Sequence, residues 1–118
     1  MKKLIFAIDF DGSIVEHQYP EIGELKEDAK EVINDLYKKD HKIIIWTCRY
    51  LQKDLSLMVK FLNENNINFH QVNCNIPELS FKPYPKIYAN IYIDDRNLFC
   101  EEIDWYKIRL YLEVKGIL

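Results

Sequence analysis

Cysteine is scarce in this chain and its pattern suggests no pairing. Cys48, Cys74 and Cys100 are odd in number, far apart and without a CxxC pair, which points away from both a disulfide framework and a thiolate zinc site. Reduced thiols in a cytosol are the expected state. Glycine and proline are also few, three and four residues, so collagen-like and low-complexity classes are excluded. No basic run is longer than Lys2-Lys3 or Lys38-Lys39, and 16 Lys plus Arg against 19 Asp plus Glu leave a net charge of −3. That balance supplies no electrostatic reason to bind nucleic acid or an anionic membrane. Long apolar runs are missing as well. Met1-Lys2-Lys3 and Leu4 to Ile8 begin like an export signal, but Asp9 and Asp11 interrupt it too soon for an apolar export segment. No stretch approaches the roughly 18 apolar residues of a spanning helix, and a soluble, cytoplasmic protein with no membrane partner is expected.

What is present is a foldable composition. The 118 residues are 48% hydrophobic and 14% aromatic, enough for one core and too few for two, so a single domain over residues 1–118 is expected. Leu4 to Ile8 is continuously apolar, as in a central parallel strand covered on both faces, and it ends at Asp9. Leu25, Ala29, Val32, Ile33, Leu36 and Tyr37 recur at helical spacing and predict a helix over about residues 24 to 39, with Lys38, Lys39 and His41 at its negative end. Lys42 to Trp46 reads as a second buried strand ending at Thr47. Leu51, Leu55, Met58 and Leu62 predict a second helix that stops in Asn63 to Asn66. A third strand is expected near Ile67 to Val72. Pro77, Pro83 and Pro85 make residues 75 to 87 a loop with room for one helical turn. Ile91 to Ile93 is a fourth strand ending at Asp94-Asp95. After Asp104, a suitable N-cap, Trp105, Ile108 and Leu112 have helical spacing, while the alternation over Lys107 to Val114 also allows a strand. Alternating strands and helices imply an α/β sheet, whose sites lie beyond the carboxyl ends of the strands.

Three of these four strands end in Asp9-Phe10-Asp11, Thr47 and Asp94-Asp95. In a parallel sheet those ends share one edge, and carboxylates gathered there repel unless a cation offsets them. Oxygen ligands with little Cys or His nearby favour Mg²⁺ over zinc. Gly12, directly after the acidic pair, permits a tight turn that presents one side chain to the metal and another to an incoming group. Taken alone, an Asp-x-Asp is as well explained by a solvated turn.

Asp9-Phe10-Asp11-Gly12-Ser13 after an apolar strand, Thr47 closing Ile43 to Trp46, a downstream lysine and Tyr92-Ile93-Asp94-Asp95 resemble, in order over residues 4 to 95, the four motifs of the haloacid dehalogenase superfamily. The closest resemblance is to its small capless hydrolases of bacterial and phage type. It implies a Rossmann-like three-layer sandwich with a mainly parallel central sheet and no cap domain, and Mg²⁺-dependent phosphomonoester hydrolysis through an aspartyl-phosphate. Asp9 would be nucleophile and metal ligand. Asp11 would be general acid and then general base, its backbone carbonyl also facing the metal. Thr47 would hydrogen-bond a phosphoryl oxygen, with Gly12 beside the substrate. Asp95 would be the principal metal ligand and Asp94 the supporting one. For the lysine that offsets charge, Lys86 before Ile87-Tyr88-Ala89 is the better match, and Lys82, followed by Pro83, is the other; whichever is unused is a solvated lysine.

Two departures stand out: Ser13 where threonine is common, and Asn97 or Glu101 where a further acid is usual. Arg49 can reach a phosphate or make a surface salt bridge. His17 either contacts substrate or is solvated. Cys48 has no arginine six positions on, as a thiol phosphatase needs. Caps are inserted between the first and second or second and third motifs, yet Asp11 to Leu25 has room only for a flap and Thr47 to Lys86 is occupied. An open site admits a large phosphorylated substrate, with nucleic acid disfavoured by charge, unless oligomerisation supplies a lid. The competing reading is a noncatalytic metal and phosphate-binding regulatory module on the same fold, which the presence of both Asp9 and Asp11 argues against. A receiver domain is disfavoured by Val72-Asn73-Cys74, where its acceptor aspartate would stand.

Overall fold

The computed structural model describes residues 2–118. Four strands, β1 (Ile5–Asp9), β2 (Lys42–Trp46), β3 (Gln71–Val72) and β4 (Ile91–Ile93), form one sheet in the order β3-β2-β1-β4 with every pair parallel. Alternation along each strand sorts the apolar runs onto two faces. Phe6, Ile8, Ile43 and Ile45 turn to one face, where they pack with α1 (Ala29–Lys38), α2 (Gln52–Glu64) and α3 (Trp105–Val114) through Val32, Ile33, Leu36, Met58, Leu62, Trp105 and Leu112. Burial of each such side chain contributes about 1.5–3 kcal/mol. Ile5, Ile44 and Trp46 turn to the other face, which Ile76 and Ile87 of the 73–90 segment cover. The result is a Rossmann-like three-layer sandwich, its third layer the expected loop, with one hydrogen-bonded turn where Leu79 N–H meets the Ile76 carbonyl at 3.3 Å. No helix among the described residues is long and apolar enough to cross a membrane.

Two boundaries differ from expectation, each for a local reason. Helix α1 starts at Ala29 rather than near residue 24, because Lys26 N–H bonds the Ile14 carbonyl at 2.9 Å, Val15 bridges Leu25, and Asp28 takes a left-handed φ of 66°. Leu25 therefore serves a flap, not the helix. Strand β3 is only two residues long, since Ile67 N–H closes α2 on the Leu62 carbonyl and Asn68 N–H goes to Asn34 Oδ1 at 2.8 Å. The last element is the helix and not the strand: Asp104 accepts from Lys107 N–H at 3.1 Å, a side-chain N-cap. His41 follows the C-terminal end of α1 as expected, its N–H on the Leu36 carbonyl at 3.2 Å. It is fully buried, with Nδ1 accepting from Leu4 N–H and Nε2 consequently donating to the Ile117 carbonyl, both at 3.0 Å.

Candidate active site

The carboxyl ends of β1, β2 and β4 meet around a cavity of about 560 Å³ lined by Asp9, Asp11, Thr47, Asp94 and Asp95 together with His17, Tyr19, Cys48, Arg49, Tyr50 and Arg96. Asp9 closes β1. Carboxylate oxygens of Asp9, Asp94 and Asp95 lie within 4.8 Å of one another. Burial first, then the charge of Asp94 and the nearness of Asp95, push Asp9 up to about 8, with the Ser13 hydroxyl opposing. Such a cluster is short of positive charge.

The turn after β1 is built to allow this crowding. Ser13 Oγ donates to Asp9 Oδ2 at 2.9 Å and accepts from Asp95 N–H at 3.1 Å, so one hydroxyl ties the two strand ends together. Trp105 holds that turn by donating its indole N–H to the Ser13 carbonyl at 2.7 Å. Gly12 has φ +94°, and a Cβ there would stand 2.4 Å from Asp95 Oδ2. Only glycine permits both the backbone angle and the approach. Asp95 Oδ1 is buried and has no hydrogen-bond partner, a condition that native structures rarely leave without a water or ion. Asp94 accepts from Arg96 N–H at 2.9 Å, which turns the chain back beside the cavity.

Thr47 follows β2 and is held from both sides. Its N–H donates to Asn73 Oδ1 at 2.8 Å, Asn73 Nδ2 donates to its carbonyl at 2.9 Å, and its Oγ1 accepts from Arg49 N–H at 3.1 Å. Asn73, the residue after β3, thus extends the strand pairing with its side chain.

The remaining predicted residues are placed otherwise. Asp11 lines the cavity, but its carboxylate lies outside the acidic triad and is gripped by Arg49 through two bonds of 2.8 Å. Arg49 is 2% exposed rather than a surface ion pair or a free phosphate ligand. Neither lysine lines the cavity. Lys86 is exposed with its ammonium 5.0 Å from the Tyr92 ring, and Lys82 borders a separate depression with Ile76, Pro77 and Phe81. Asn97 and Glu101 are exposed and absent from the lining. His17 and Cys48 are on it, and all three cysteines are free thiols. The exposed cation on the lining is Arg96, which sequence reasoning passed over. The acidic pair before it was the available signal, since an Asp two residues upstream commonly folds the following backbone around its own carboxylate.

A parallel α/β sheet with an acidic cluster across the ends of β1 and β4 defines the class of structure. No family model and no curated protein matches the chain. Among solved structures, a conserved protein from Bacteroides thetaiotaomicron is similar at a TM-score of 0.81 and 34% identity, over 98% of this chain and 92% of that one. The chain belongs to the family of that conserved protein.

Proposed function

We propose that this protein is a Mg²⁺-dependent phosphomonoester hydrolase of the haloacid dehalogenase kind, working through an aspartyl-phosphate on Asp9. The observation that carries the reading is the triad of Asp9, Asp94 and Asp95, with its unpartnered buried oxygen on Asp95. The donor set is all oxygen, as a hard divalent cation requires. Asp9 and Asp95, supported by Asp94, would hold Mg²⁺, which when bound offsets their charge and that of a phosphoryl group.

The protein's own residues then divide the reaction. An oxygen of Asp9 forms a bond to phosphorus as the bond from phosphorus to the leaving oxygen breaks, and the leaving oxygen takes the electron pair and a proton supplied by Asp11. In the second half a water oxygen bonds to phosphorus, its proton passes to Asp11, and the electron pair of the broken bond returns to Asp9. Thr47, fixed by Asn73, orients a phosphoryl oxygen. Arg96 supplies the exposed positive charge on the wall, in place of the expected lysine. Tyr19 and Tyr50, exposed on the lining, face the leaving group with planar apolar surface.

The test is phosphate release from an aryl phosphate and a panel of phosphorylated metabolites and phosphopeptides, with and without Mg²⁺. Turnover that needs Mg²⁺ and is lost in Asp9→Asn supports the reading. Saturable Mg²⁺ binding with no turnover on any substrate would replace it with the noncatalytic module.

A further inference from the structure

Arg49 is a fully buried side chain with every donor in use. A guanidinium has five N–H groups. Nε donates to Asp11 Oδ2 at 2.8 Å, one terminal nitrogen to Asp11 Oδ1 at 2.8 Å and the Glu21 carbonyl at 3.0 Å, and the other to the Pro20 carbonyl at 3.1 Å and the Asp54 carbonyl at 3.4 Å. Its Cζ also lies over two aromatic rings, 5.5 Å from the centre of Phe10 and 5.0 Å from that of Tyr19. Tyr19 is in turn anchored by donating its hydroxyl to Asp54 Oδ2 at 3.0 Å. No N–H remains to bind a phosphate.

The groups that meet on this side chain come from separate parts of the site. Asp11 stands on the turn after β1. Tyr19, Pro20 and Glu21 belong to the tip of a flap whose arms pair through Glu16 N–H to the Glu24 carbonyl at 2.8 Å and Lys26 N–H to the Ile14 carbonyl at 2.9 Å. Asp54 is buried in the first turn of α2. Arg49 is itself pinned to Thr47 through its own N–H.

We propose that Arg49 is a positioning residue that couples the orientation of the Asp11 carboxylate to the seating of the 17–23 flap tip over the cavity. This rests on the reading of Asp11 as the group that meets the substrate. Releasing either end frees the other, because one rigid fork holds both and the coupling is reciprocal. A planar guanidinium does this where a lysine cannot, since a single ammonium cannot span both carboxylate oxygens and two flap carbonyls.

The test has an arm that needs no catalysis. Full-length protein is treated with a Glu-specific endoproteinase, following cleavage after the exposed Glu21 in the flap and after Glu113 in α3 as the reporter of global opening. Asp11→Ala and Arg49→Met are each expected to speed cleavage after Glu21 about tenfold, the loss of one charge-assisted contact, with Glu113 unchanged. The double variant is expected to be no faster than either single one. If Asp11→Ala leaves the flap at the wild-type rate, or the two effects add, the coupling is overturned. Arg49→Lys serves if Arg49→Met does not fold, and it is expected to loosen the flap likewise. In turnover of an aryl phosphate, Arg49→Lys is expected to lower kcat about a hundredfold with a smaller change in KM, and to add nothing to Asp11→Ala. A coupled flap in a protein without turnover would refute the hydrolase alone; turnover with an uncoupled flap would refute the coupling alone.

Discussion

At the scale of single residues, the site is a problem of crowded negative charge solved by short side chains. Ser13 and Gly12 let Asp9 and Asp95 approach each other, one by a hydroxyl that serves both and the other by the absence of a Cβ. Gly12→Ala is therefore expected to destabilise the fold by about 1–3 kcal/mol through backbone strain, and to weaken Mg²⁺ binding further by displacing Asp95. Calorimetry and Mg²⁺ titration of the variant check both. Arg96→Ala is expected to raise KM for an aryl phosphate by about tenfold, the value of one charge-assisted hydrogen bond, while Lys86→Ala leaves kcat and KM near wild type. The reverse result would return the charge-offsetting role to the lysine.

The raised pKa of Asp9 also has a sign that can be measured. Its ordinary value is 3.8 and burial with neighbouring acids raises it to about 8. Between those values the folded protein holds a proton that the unfolded chain has released, so stability falls as pH rises through that window. Without divalent cation, Tm should drop between pH 4 and pH 8, and Mg²⁺ should restore most of the loss at the upper end. A Tm indifferent to Mg²⁺ at pH 8 would contradict the triad as a metal site.

At the scale of elements, the sequence and the structure agree where one physical signal dominates. The apolar runs of β1, β2 and β4 suit parallel strands and form them, with Asp9, Thr47 and Asp94-Asp95 at their carboxyl ends. Disagreement arises where a residue serves two masters. Leu25 fits the helical period of α1 but is spent on the flap, and Ile67 to His70 suit a strand but find partners in α2, Asn34 and the ends of β2. In the final segment, periodicity left helix and strand open, and the Asp104 cap accompanies the helix. Asp104→Ala is expected to cost about 1 kcal/mol, lowering Tm by several degrees and loosening Trp105, whose indole holds the Ser13 turn. Hydrogen exchange in α3 reads this directly.

At the scale of the whole molecule, the acids of the site were legible and its cations were not. Asp9, Asp11, Thr47, Asp94 and Asp95 sit at strand ends, where topology alone brings them together. Arg49, Arg96 and the two loop lysines act through long side chains whose direction depends on what the flap and the β4 turn leave vacant. That is why Arg49 turned inward and became a buried strut, while Lys86 stayed in solvent beside Tyr92. The flap, seated by that strut, forms a wall of the cavity without an inserted domain among the described residues, leaving a mouth that exposed Tyr50 and Arg96 line.

The central claim is that Asp9 itself carries the phosphoryl group. It is tested most directly by acid-quenching the protein during turnover of an aryl phosphate with Mg²⁺ and mapping its peptides by mass spectrometry. The account predicts one phosphoryl group on the peptide bearing Asp9, sensitive to hydroxylamine and absent from Asp9→Asn. Turnover with no modified aspartate, or with the phosphoryl group on another residue, would contradict it.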